Sequence, residues 1–117
     1  MGEDWARPVV HWEMVARDPA GQATFYRELC HWDIGDGPIM TIAPGLGGPE
    51  PGPAGHIRQG ERAGVSLYVQ VRDLRASLAL AVALGGRVVT EPFDVPGGPT
   101  LAAVDDPEGV PLVLVQQ

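Results

Sequence analysis

Apolar and polar positions alternate with a period of two over residues 9–16, VVHWEMVA, and again over 65–71, VSLYVQV. In the first run His11, Glu13 and Val15 share one face, while Val10, Trp12, Met14 and Ala16 form the apolar one; this predicts a half-buried strand packed on a helix. Asp18 then supplies an N-cap oxygen and Pro19 suits the first helical position. Ala23, Tyr26, Leu29 and Cys30 recur at helical spacing, so a helix of about three turns is predicted, ending near His31 with Cys30 as small core filler. HWDIGDGPIMTIAPG predicts two short strands around an Asp-Gly turn. The stretch from Pro44 to Gly55 is too rich in Gly and Pro for a regular element and reads as a loop, either mobile or a lid beside a site. AGHIRQG is the short segment expected to close this half as its last strand.

The second half repeats the order. Ser66, Tyr68 and Gln70 share one strand face and Leu67, Val69 and Val71 the other, Asp73 caps a helix from Leu74 to Leu84, and Gly85-Gly86 stops it. RVVTEPFDV, PTLAAVDD and VPLVLVQQ predict three strands separated by PGG and by DPEG. The Asp105 to Glu108 stretch reads as a solvated β-turn. At a constant offset of 55 residues Val10 matches Val65, Arg17 matches Arg72, Asp18 matches Asp73 and Leu29 matches Leu84. Each half is therefore strand, helix, strand, strand, strand.

With 117 residues, the chain is one domain by size, and any duplication must share its core. The net charge of −7 and the absence of lysine leave no phosphate-tracking surface, which argues against a nucleic-acid partner. No apolar run approaches the roughly 20 residues that span a bilayer, so no membrane partner is expected. The N-terminus lacks a signal-peptide layout, and a cytoplasmic location is expected. A single cysteine excludes an internal disulfide and the common thiolate zinc motifs.

VVHWEMVARDPAGQATFYRELCHWDIGDG, GVSLYVQVRDLRASLALAVALGGRVVTEPFDVPGG and AAVDDPEGVPLVLVQ resemble the vicinal oxygen chelate superfamily, the glyoxalase, bleomycin-resistance and extradiol-dioxygenase group. The resemblance runs from about Val9 to Gln116. It implies an α+β fold with two βαβββ modules, about 9–60 and about 61–117, forming a cupped mixed sheet around a cavity within a single domain, 1–117. In metal-dependent members of the group each module gives one metal ligand from its first strand and one from its last. Carried onto this chain, the first-strand positions are His11 and Ser66, the second module's last-strand position is Val113, and the first module's falls near Arg58. Only His11 is a conventional ligand there, because serine, valine and arginine do not complete the shell of a divalent cation.

The resulting expectation is a metal-independent small-molecule-binding protein without a cofactor, taking a modest-sized compound such as an antibiotic or natural product. Its binding residues are expected to be His11, Glu13, His56, Arg58, Ser66, Tyr68, Gln70, Trp32 and Val113. The alternative is a glyoxalase- or dioxygenase-like lyase or isomerase. That enzyme uses either a divalent metal at a residual site of His11, Glu13 and His56, or acid–base catalysis in which burial raises the pKa of Glu13 and Tyr68 donates. A third reading is a structural or regulatory partner with a cavity filled by side chains. Helix two is apolar on almost every side, which points to a covered or subunit-facing surface; a homodimer is expected, as pairing is common in the superfamily.

Overall fold

The computed structural model describes residues 5–44 and 52–116, so the body of the Gly/Pro loop, residues 45–51, lies outside the described residues. The chain divides into two compact units, His11–Ser66 and Leu67–Gln117 with Met1–Val10. Both are built as βαβββ-like modules of an α+β fold.

The first module contains β1 (Val9–Ala16), α1 (Pro19–Cys30), β2 (Ile39–Ile42) and β3 (Gly55–Gln59). β3 is central: it runs parallel to β1 and antiparallel to β2. Of the two short strands expected around the Asp-Gly turn, the second is β2 and the first is reduced to a single bridge from Ile34 to Ile42. Asp18 Oδ1 accepts from the Gly21 amide at 3.2 Å and caps α1, with Pro19 in its first turn. The apolar face of β1 packs as its alternation predicts: Met14 and Ala16 join Ala23, Ile34, Ile42 and Ile57 in the core. Gly55 is required by Trp12, whose indole occupies the space where a Cβ on residue 55 would stand.

One expectation for α1 fails. Leu29 is 64% exposed and Cys30 is exposed, so neither fills the core. The left-handed cap at His31, φ 58°, turns the chain so that Trp32 stacks on Tyr26 at 4.9 Å. That aromatic pair, with Trp12, covers the core in place of the last helical turn.

The second module contains β4 (Gly64–Gln70), α2 (Leu74–Ala83), β5 (Arg87–Asp94), β6 (Thr100–Asp105) and β7 (Pro111–Gln116). β7 lies parallel to β4 and antiparallel to β6, which pairs in turn with β5. The Asp73 carboxylate caps α2 through the Ala76 amide at 3.1 Å. Leu74 and Leu78 pack with Val71, Ala102, Val104 and Leu114 on one side of the sheet; Tyr68, Leu101 and Val115 cluster on the other. Leu80, Val82 and Leu84 stay exposed on α2. Asp105 departs from the solvated turn expected for it: it is buried, with Oδ2 accepting from Arg87 Nη2 at 2.8 Å and Oδ1 without a hydrogen-bond partner. The turn is instead closed by Asp106, whose Oδ1 accepts from the Glu108 and Val110 amides, each at 2.9 Å. Among the described residues no helix is long and apolar enough to cross a membrane.

Candidate functional site

The parallel pairing of β1 with β3 places Glu13 opposite His56 and Val15 opposite Arg58. Side chains two apart on a strand share a face, so His11 and Glu13 on β1 meet His56 and Arg58 on β3. The four side chains form one chain of hydrogen bonds. Arg58 donates Nε to Glu13 Oε2 at 2.8 Å and Nη2 to Oε1 at 3.1 Å. His56 Nε2 donates to Glu13 Oε2 at 3.0 Å. His56 Nδ1 and His11 Nε2 share a hydrogen bond of 2.8 Å, and the two rings stack with centroids 5.1 Å apart. Glu13 and His56 are buried, 7% and 8% exposed, so this is an interior polar array and His56 is a strand residue within it.

Burial is the largest single influence on the Glu13 carboxyl and pushes its pKa up. The hydrogen bonds from His56 and Arg58 and their charges together outweigh it, leaving the group at about 2. Glu13 is therefore a fixed carboxylate. The expectation that burial makes it a general base is corrected accordingly, because a carboxylate held so acidic takes up a proton poorly near neutrality. His11 is shifted down from 6.5, first by burial and then by the neighbouring His56, with Glu13 opposing, so its neutral form is favoured.

Each remaining candidate is placed within its own module. Trp32 packs edge-on to Trp12 at 5.5 Å, and Trp12 belongs to the face of β1 opposite Glu13, so Trp32 is part of the core side. Ser66 is buried on β4. Tyr68 is buried with Leu101 and Val115, with Val113 packed alongside. Gln70 is half-buried, and its amide donates to the Pro8 carbonyl at 2.9 Å. The ion pair of Glu13 with Arg58 was missed by the sequence reading. Its signal is the matched spacing of H-x-E on β1 and H-x-R on β3, which becomes meaningful once those strands are known to be parallel neighbours.

The register also refines the superfamily comparison. Tyr68 pairs with Val113, and the 55-residue offset maps Tyr68 onto Glu13, which pairs with His56. His56, two residues before Arg58, thus corresponds to Val113. On that alignment, the four positions at which the resemblance implies metal ligands hold two imidazoles, a hydroxyl and a hydrocarbon in this chain. The imidazoles are bonded to each other, and the other ring nitrogen of His56 faces Glu13, so the lone pairs do not converge on one point. Among the described residues no group of three His, Cys, Asp or Glu side chains is placed to hold a metal ion. The donor set does not fit a divalent cation.

The glyoxalase-like domain family matches residues 9–115, and the chain belongs to that family. No curated protein matches it. Among solved structures it is similar to a glyoxalase/bleomycin resistance protein/dioxygenase superfamily member from Vibrio splendidus 12B01, with a TM-score of 0.66 at 15% identity over 96% of this chain and 100% of that one. A hypothetical protein from Bacillus halodurans C-125 aligns with a TM-score of 0.64 at 13% identity, over 97% and 96% of the two chains. The methylmalonyl-CoA epimerase of Mycobacterium tuberculosis aligns with a TM-score of 0.59 at 17% identity, over 92% and 85%. At these identities the likeness establishes the fold.

Proposed function

We propose that this chain is a small-molecule-binding member of the glyoxalase-like family that works without a metal, using the His11, Glu13, His56 and Arg58 face of its first module. The reading rests on one observation: the polar groups of that face order one another before any ligand arrives. Glu13 receives two bonds from Arg58 and one from His56, and His56 is tied to His11. Such an array costs little further ordering when a ligand docks, which favours affinity. The Arg58 side chain is 45% exposed while the Glu13 side chain is 9% exposed, so a guanidinium edge faces outward over a buried carboxylate. This favours a modest-sized compound with acceptor groups, such as an antibiotic or natural product. The overall negative charge alone suggests a cationic ligand, but at this face the charge of Glu13 is answered by Arg58.

A homodimer formed through the exposed Leu80, Val82 and Leu84 of α2, and a cytoplasmic setting, where an exposed lone thiol such as Cys30 stays reduced, belong to the same proposal. A thermal-shift panel of antibiotics and polyketide-like compounds tests the central point. A ligand selective for the folded protein raises Tm by mass action. The expected result is a rise in wild type that Arg58→Met abolishes; no rise for any compound, or an equal rise in the variant, overturns the proposal.

A further inference from the structure

Both modules end their first strand in Arg-Asp, and both aspartates cap the helix that follows. In the first module the pair also borders a groove of about 400 Å³, formed by the end of β1, by α1 and by residues 63–65, all within the His11–Ser66 unit. That volume is on the scale of small-ligand clefts. Met14 and Val65 give the groove apolar surface. Met14 belongs to the face of β1 opposite Glu13, so the groove lies on the other side of the sheet from the polar array. Arg17, Asp18, Gln22 and Tyr26 line it as well. Among the described residues the Arg17 guanidinium and the Tyr26 hydroxyl have no hydrogen-bond or ion-pair partner. Gln22 Nε2 donates only to Met14 Sδ, at 3.6 Å, a weak acceptor, and Oε1 accepts from nothing described. Asp18 gives Oδ1 to the Gly21 amide and keeps Oδ2 uncommitted. At the 55-residue offset Gln22 and Tyr26 become Ser77 and Ala81, and the Ser77 hydroxyl donates to the Asp73 carbonyl at 2.8 Å. The second module thus keeps the cap without the spare polar groups.

We propose that this groove is a second ligand site, and that it takes a small zwitterion with an apolar body, of the kind a free amino acid with a hydrophobic side chain provides. A cation and an anion stand side by side in its lining, each with capacity left. A purely anionic ligand would meet Asp18 and a purely cationic one Arg17, whereas a zwitterion answers both. Its carboxylate pairs with the planar fork of Arg17 and accepts from the Tyr26 hydroxyl. Its ammonium donates to Asp18 Oδ2 and Gln22 Oε1. Its side chain covers Met14 and Val65, which removes apolar surface from water. The α1 amides are not the attraction, because Asp18 already occupies the amide of Gly21. The site is separate from the binding face proposed above and stands or falls without it.

The test titrates L-phenylalanine into the uniformly ¹⁵N-labelled full chain and follows the backbone amides. Saturable shifts are expected at Gly21, Gln22, Gly64 and Val65, which line the groove. Hydrocinnamate, which lacks the ammonium, and phenethylamine, which lacks the carboxylate, should each bind about tenfold more weakly, the loss of one charge-assisted bond. Arg17→Gln should weaken phenylalanine by a similar factor. So should Asp18→Asn, which keeps a capping oxygen and loses the charge. No saturable shift up to about 10 mM, well above a millimolar Kd, overturns the site. Equal binding of all three probes overturns it too, as does an unchanged affinity in both variants, or a response confined to the His56 and Arg58 strand. Should either variant fail to fold, the three probes on the wild-type chain decide alone.

Discussion

Arg58 grips Glu13 with two nitrogens across the parallel pair of β1 and β3, at 2.8 and 3.1 Å, so a half-exposed guanidinium stabilises a buried carboxylate. Removing the guanidinium takes two hydrogen bonds from a carboxylate whose side chain is only 9% exposed. Arg58→Met is expected to lower unfolding free energy by about 1–3 kcal/mol, measured by urea denaturation at pH 7. Arg58→Lys should recover only part of the loss, because an ammonium does not reproduce the two-pronged geometry.

Acid sensitivity should have two stages. His11 is shifted below 6.5, so the unfolded chain binds a proton there more readily than the folded one; its contribution is present above pH 6.5 and is lost as pH falls through the folded value. Glu13 is depressed from 4.5 to about 2, so its contribution is intact above pH 4.5 and declines between there and pH 2. Unfolding free energy against pH should show the lower stage disappear in Glu13→Gln and the upper stage disappear in His11→Phe.

Gly55 leaves the space that the Trp12 indole fills. Gly55→Ala forces its methyl into the indole and should cost about 1–3 kcal/mol, with altered tryptophan emission. Gly52→Ala is the control: a Cβ there meets nothing within 4 Å and should leave stability unchanged.

The Asp105 carboxylate depends on Arg87, since its second oxygen is buried without a hydrogen-bond partner. Arg87→Met should destabilise by about 1–3 kcal/mol, and Asp105→Ala placed on top of it should cost less than it does in wild type. Chemical denaturation of the four proteins of that cycle measures the coupling.

Much of the architecture was legible because period-two alternation and capped helical spacing are local signals. β1, α2 and the last three strands fall close to the segments read from the chain, and Asp18 and Asp73 cap as expected. Ile34 was less legible: a short apolar run looks like a strand, but it makes only one bridge. Leu29 and Cys30 misled for a related reason, since helical spacing identifies a stripe but not that a left-handed cap returns Trp32 over it. In the polar array, the shared face of His11 and Glu13 follows from strand parity. The role of Arg58 depended on the pairing of two strands 40 residues apart, information that resides in register and not in either strand by itself.

The aromatic stack has a practical corollary for spectroscopy. Trp12 and Trp32 are both half-buried against the core of the half that carries the imidazole pair, and Trp5 is already 42% exposed. Indole emission is therefore a lopsided thermometer that tracks the melting of one half, whereas circular dichroism sums over the whole backbone. If the two probes give different midpoints, the duplicated halves come apart at different temperatures, and the offset measures how loosely they are yoked.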